Sequence, residues 1–154
     1  MQALEKTQKR LIIVCPWLSK YGIEDEVIGK FKALLESRNS CIDIGWGYRK
    51  DWENGTVGDW SNSINGWKYS ALPELIKLEE RYPGRFRLKA LGTHEKFLVC
   101  DSNFAMLGSH NFLTSSSKSN EREIGLRTTE SRIIQDMITR FDNASALKVQ
   151  IAKF

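Results

Sequence analysis

Residues Arg10 to Cys15 read Arg-Leu-Ile-Ile-Val-Cys, and Pro16 closes the run. Leu11 to Val14 leave no polar face, as expected of a strand covered on both sides rather than one lying over solvent. Such a strand demands a sheet with a layer on each face. With Lys9 and Arg10 ahead of it and Leu18 behind, the stretch has the outline of a secretory leader. It is too short to cross a bilayer, lacks a small-residue cleavage site and ends in Pro16-Trp17. We therefore read it as a buried strand, and expect a cytoplasmic chain.

The residues that follow supply the layers. Glu24, Asp25 and Glu26 open a helical pattern with Val27, Ile28, Phe31, Leu34 and Leu35 on one side, running to about Arg38. Carboxylates in a first turn suit the positive end of the helix dipole. Cys41 to Gly45 is a second short strand, at a spacing that fits a right-handed parallel crossover. Ser70 is placed to cap a further helix, with Pro73 in its first turn and Pro83-Gly84 as its stop. Arg85 to Leu91 alternates, with Phe86, Leu88 and Ala90 on one face and Arg85, Arg87 and Lys89 on the other. Lys96 to Cys100 and Phe104 to Leu107, joined by Asp101-Ser102-Asn103, read as a hairpin. Glu123 to Arg127 is one more strand, and Ile133, Ile134, Met137, Ile138 and Phe141 mark a last amphipathic helix capped by Thr128 or Thr129. The expected class is α/β, a mixed, largely parallel sheet flanked by helices on both faces, in a single domain of 154 residues. The tail from Ala144 onward is left open between helix extension and docking.

A hydrophobic fraction of 41% suffices for a substantial core, while 27% charged residues exclude a chain made of membrane spans. A net charge of +4 makes an anionic partner plausible without identifying it. Cys15, Cys41 and Cys100 sit singly in expected strands without C-x-x-C spacing, which suggests neither a zinc site nor a disulfide framework. From Trp46 to Trp67 apolar periodicity lapses, and Trp46, Tyr48, Trp52, Trp60 and Trp67 alternate with polar residues and the pair Arg49-Lys50. Such a loop either stacks bases and contacts phosphates or roofs the core. The ladder of Arg85, Arg87 and Lys89 likewise either faces solvent or extends a phosphate track toward His94.

His94 and Lys96 are two apart and so share a strand face. If Asp101 to Asn103 turn the chain, Gly108 falls roughly opposite Lys96 and Ser109 to Asn111 beside His94, to within one residue of register. Imidazole, ammonium, hydroxyl and amide then gather at one end of the hairpin, with the small Gly108 leaving room for a bound group. Each of these side chains can attack a phosphate or donate a hydrogen bond to it.

His94-x-Lys96, four residues, Asp101, six residues, then Gly108-Ser109-x-Asn111 resembles the signature of the phospholipase D superfamily, the HKD phosphodiesterases. The likeness reaches upstream to Leu11–Val14 with Pro16 and downstream to Glu123-Ile124-Gly125. It implies a phospholipase D-like catalytic domain in which His94 forms a phosphohistidine or, in an opposing copy, protonates the leaving oxygen. By the same resemblance Lys96 and Asn111 hold the non-bridging oxygens, Ser109 assists, and Glu123 accepts the second ring nitrogen of His94, with Glu121 as the competing acid. Asp101, far along the strand from His94, is expected to support the hairpin rather than touch phosphate. His110 occupies a variable position, facing substrate or a dimer seam.

The resemblance also implies chemistry without metal or other cofactor. This mechanism needs two facing motifs, and this sequence carries one, so the resemblance points to a homodimer sharing one site, acting on DNA or RNA. Arg49, Lys50, Trp52, Arg87, Lys89 and His110 are the candidate substrate contacts. Two rivals stand beside this reading: a phospholipid-acting enzyme of the same superfamily, and a nucleic-acid-binding module cut from a larger helicase- or restriction-type protein.

Overall fold

The structure is a computed structural model that describes residues 2–37, 39–53, 67–114 and 122–148, without the side chains of 52 and 53. Glu121, Trp60, most of the Trp-rich loop, the Ser-rich stretch after Thr114 and the end of the tail lie outside the described residues. In chain order the elements are α1 (Gln2–Lys6), β1 (Arg10–Val14), α2 (Asp25–Ser37), β2 (Cys41–Trp46), α3 (Lys50–Glu53), a 3-10 turn at Trp67–Tyr69, α4 (Leu72–Arg81), β3 (Phe86–Ala90), β4 (Phe97–Cys100), β5 (Phe104–Gly108), β6 (Gly125–Thr128) and α5 (Ser131–Asn143).

One mixed sheet of six strands, in the order β3-β2-β1-β4-β5-β6, carries the fold. β1 pairs in parallel with β2, and β2 with β3, whereas the β1–β4, β4–β5 and β5–β6 pairs are antiparallel. Hence β1, β2, β3 and β5 point the same way, but only two of the five pairings are parallel. The parallel half comes from strand–helix–strand crossovers, whereas in the antiparallel half the tight turn at residues 101–103 joins β4 to β5 as a hairpin, the connection that only antiparallel neighbours allow.

The apolar run at β1 divides between two cores by simple alternation. Leu11 and Ile13 join Ile42, Ile44, Phe86 and Leu98 beneath α2 and α4, where Phe31, Leu34, Leu35, Leu72, Leu75 and Leu78 close the layer. Ile12 and Val14 join Phe97, Val99 and Ala105 on the other face, under Ile134 and Phe141 of α5. Gly45 is needed there, because a Cβ would lie 2.6 Å from Leu91 and 3.0 Å from Phe141. After α5 the tail docks along β3, with Leu147 N–H donating to Ala90 O at 2.8 Å.

The helix caps differ from those the sequence suggests. Ser70 Oγ accepts from Lys20 N–H and donates to Trp67 O, so it ties two loops together, and α4 starts after Ala71 with no side-chain cap. Thr128 Oγ1 accepts from Glu130 N–H just ahead of α5, which also lacks a side-chain cap of its own.

The basic ladder on β3 is also spoken for. Arg87 and Arg10 clamp the buried carboxylate of Asp43, which is 2% exposed, and Arg10 continues to Asp142 at 2.7 Å. Lys89 Nζ donates to the carbonyls of Phe141 and Asp142 at the end of α5 and sits over the Phe141 ring. Arg85 donates to the Leu35 and Ser40 carbonyls where α2 leads into β2. Charge in an alternating strand looks solvated from sequence alone, because Asp43 and the end of α5 are distant in the chain.

Asp101 adopts a left-handed φ of 51° in the β4–β5 turn, and its carboxylate accepts three consecutive backbone N–H groups, from Gln8 (2.8 Å), Lys9 (2.9 Å) and Arg10 (2.7 Å). It thus fastens the start of β1 to the end of β4, as a hairpin support should. Asp101→Ala leaves three donors without their carboxylate, and we expect a loss of about 2–3 kcal/mol, read as a lower urea midpoint at unchanged slope. Asp101→Gly, which tolerates the positive φ, should recover only a small part of it.

Candidate active site

The carboxyl ends of β1 and β2 and the amino end of β4 meet at one edge of the sheet, since Val14 pairs with Gly45 on one side and Phe97 on the other. The segments leaving those ends are knitted by the backbone. Gly47 N–H donates to Pro16 O (2.9 Å) and Thr93 N–H to Gly47 O (2.7 Å). His94 stands on this platform, exposed, with its ring 5.8 Å from that of Trp17 and 5.1 Å from that of Tyr48. Glu95 turns to the other side, where Thr93 and Arg140 of α5 hold its carboxylate.

Lys96 Nζ lies 3.4 Å from His94 Nε2 and donates to His94 O at 3.0 Å. An ammonium aimed at Nε2 favours the tautomer with the lone pair on that nitrogen and the proton on Nδ1. Partial burial, then the charges of Lys96 and Lys50, push the His94 pKa below the usual histidine range. The imidazole is therefore neutral, with a free electron pair, at neutral pH, which is the form that attacks an electrophile.

The hairpin delivers the remaining groups in the register its turn dictates. Phe97 pairs with Leu107, and Gly108 N–H reaches Lys96 O at 3.3 Å, so Gly108 stands opposite Lys96. Its small size serves β6 rather than a ligand. A Cβ on Gly108 would come within 2.2 Å of Ile124 O and 2.7 Å of the Gly125 Cα. Ser109 extends this junction, its N–H donating to Ile124 O (2.9 Å) and its Oγ accepting from Ile124 N–H (3.1 Å). Ser109 Oγ also donates to Glu123. The carboxylate of Glu123 is thus engaged by Ser109, and the structure gives it no bond to His94.

Asn111 follows the end of β5, and its Oδ1 is buried without a hydrogen-bond partner. An orphaned buried amide end is costly, and a bound group or a flipped amide would relieve it. His110 packs edge-on against Phe112, 5.5 Å away, and lines a cavity with Tyr21, Glu24, Val27 and Leu98. Arg49 and Lys50 are exposed beside Tyr48, with Lys50 close enough to act on the His94 pKa. The Trp52 side chain lies outside the described residues. Arg87 and Lys89 face α5, whereas His94 and Lys96 share the parity of Leu98 and Cys100 on the opposite face, so the β3 ladder makes no track to His94.

Sequence reasoning misses Trp17 and its support. Asp51 accepts from Trp17 Nε1 (3.0 Å), Lys68 Nζ (2.8 Å) and the Tyr69 hydroxyl (2.8 Å). Burial alone would raise the Asp51 pKa, but these donors outweigh it and hold the carboxyl below its usual range. The available signal was position, because side chains just beyond the carboxyl ends of parallel strands converge where the strand direction switches. Among the described residues no three His, Cys, Asp or Glu side chains gather as metal ligands do.

A histidine and a lysine thus stand together at the switch point of an α/β sheet, with an unsatisfied amide nearby in the chain. The profile of the family described as "Cardiolipin synthase, PLD-like domain" matches residues 1–145, and the chain belongs to that family within the phospholipase D superfamily. No curated protein sequence matches. Among solved structures the chain is similar to NucT from Helicobacter pylori, with a TM-score of 0.58 at 13% identity over 95% of this chain and 87% of that one. It is similar to Nuc, a phospholipase D family member from Salmonella typhimurium, with a TM-score of 0.54 at 11% identity over 93% and 82%. It is also similar to phosphatidylserine synthase from Haemophilus influenzae Rd KW20, with a TM-score of 0.62 at 15% identity over 94% of this chain but 35% of that one. At such identities these likenesses establish the fold alone.

With two histidines in the chain, NMR can follow both rings. We expect the His94 midpoint on the acid side of the ordinary imidazole value of about 6.5. Lys50→Gln should move it upward, because it removes a repelling charge from the protonated form. A His94 midpoint at or above the ordinary value would contradict the electrostatics described here.

Proposed function

We propose that the chain is a nuclease that hydrolyses phosphodiester bonds of DNA, or of RNA, through a phosphohistidine. The observation that carries this reading is the exposed His94 imidazole with Lys96 Nζ 3.4 Å from its Nε2. In the first step Nε2 attacks phosphorus, a P–N bond forms, and the P–O bond to the leaving strand breaks. The departing oxygen takes a proton from the second copy's His94, which enters the step as the imidazolium while the attacking copy is neutral. In the second step that histidine removes a proton from water, the oxygen of which attacks phosphorus and frees the first His94. Lys96 neutralises the non-bridging oxygens in both steps, and the unsatisfied Asn111 amide is the proposed second holder. Glu123 braces Ser109, and a bond from Glu123 to His94 would require that contact to open.

A polyanion suits the surroundings, in which Lys50 and Lys96 act on His94 and the whole chain carries +4. NucT and Nuc lend support by fold. The homodimer follows from the one histidine–lysine motif, and the exposed surface agrees with it. Ile124 and Leu126, 78% and 60% exposed, together with Leu107, leave apolar area along β5 and β6, next to Ser109 and Glu123. A second copy covering that area would bring two such sites together. The second reading is a phospholipid substrate, favoured by the phosphatidylserine synthase likeness and the family description. No helix among the described residues is long and apolar enough to cross a membrane.

His94→Ala should lower cleavage of labelled oligonucleotides by about 10³-fold or more with an unchanged circular dichroism melt. Wild-type cleavage should persist in EDTA, and light scattering should give twice the 17.7 kDa chain mass. Loss of activity in EDTA, or cleavage by His94→Ala, would defeat the mechanism. Choline release from liposomes without oligonucleotide cleavage would favour the lipid reading, and an inert monomer a binding module.

A further inference from the structure

Three aromatic rings continue the surface that begins at His94. Tyr48 and Trp17 both contact the imidazole and lie 5.7 Å apart, nearly perpendicular. Trp67 then packs on Trp17 with 6.1 Å between ring centres. This row is distinct from the aromatics that seal the core. Trp46 and Tyr69 are 2% and 1% exposed, whereas Trp67 is 52% exposed. Trp67, reached from the imidazole through Trp17, thus offers an exposed indole to a flat ligand.

The row is also stiff. The indole N–H of Trp17 is fixed on Asp51, which Lys68 and Tyr69 hold from two further directions, and Lys68 Nζ sits 5.3 Å over the Trp17 ring. A preset aromatic face gives up little side-chain freedom when a flat group settles on it. Cations flank the row on both sides, with Lys68 at Trp17 and Lys50 and Lys96 at His94. Alternating aromatic faces and cations fit a strand whose bases are free to stack while its phosphates are neutralised. They do not fit a duplex, in which the base faces are already stacked on one another.

We propose that Trp67, Trp17 and Tyr48 form a stacking platform for unpaired bases next to the phosphate at His94, so that the chain selects single-stranded over duplex nucleic acid. This rests on the nuclease reading for the phosphate's position, but it is testable by binding alone. Trp67 is the residue to change, since it is exposed and its loss leaves the Asp51 bracket in place.

The test is fluorescence anisotropy of a labelled short single strand, its duplex, and the same strand with abasic sites, in a His94→Asn background to prevent cleavage. Trp67→Ala should weaken single-strand binding about tenfold and leave duplex binding unchanged, while Trp67→Phe restores most of the affinity. The abasic strand should bind the parent at least as weakly as the intact strand binds Trp67→Ala, since it forgoes stacking on all three rings. Equal weakening of all three ligands, no weakening, or no preference of the parent for the single strand would each overturn the platform. The nuclease reading is judged separately, by His94-dependent cleavage in the wild-type background.

Discussion

Everything in this molecule depends on β1 being paired on both edges and buried on both faces. Its parallel bond to β2 and antiparallel bond to β4 make it the line along which the sheet changes direction. On the parallel side, chains leave the sheet at the carboxyl ends of β1 and β2. On the antiparallel side, a chain enters the sheet at the same edge, through β4. Trp17, Tyr48 and His94 therefore come together from three distant parts of the chain, through the geometry of one strand. Asp101 secures the other end of this junction, because its three backbone hydrogen bonds fasten the start of β1 to the turn after β4.

The chemistry of the site follows from what surrounds that edge. The imidazole is partly desolvated by two aromatic rings and repelled by two lysines, and both effects favour its neutral form. The hairpin and β6 form a second support, in which Gly108 lets the backbones of β5 and β6 approach closely enough for Ser109 to bond Glu123 and Ile124. Cations elsewhere in the chain do other work. Arg10 and Arg87 neutralise Asp43, and Lys89 closes the carbonyl end of α5, so the basic balance of the chain overstates the charge available to an anionic substrate.

Much was legible in advance because it is local. Unbroken apolar runs announce strands covered on both sides, a 3.6-residue period announces the helices over them, and the His94 to Asn111 spacing fits a hairpin whose register follows from its turn. The sequence thereby determined the layered mixed sheet, the pairing of Gly108 with Lys96, the supporting place of Asp101 and the likeness to the phospholipase D superfamily. Only the tertiary structure decided the partners of polar groups. It gave Glu123 to Ser109, turned Arg87 and Lys89 away from His94, assigned the narrowness at Gly108 to β6, and set Trp17 against the imidazole. The physical reason is range: backbone period and turn geometry act between near neighbours in the chain, whereas an ion pair or a ring contact depends on which distant strands lie side by side.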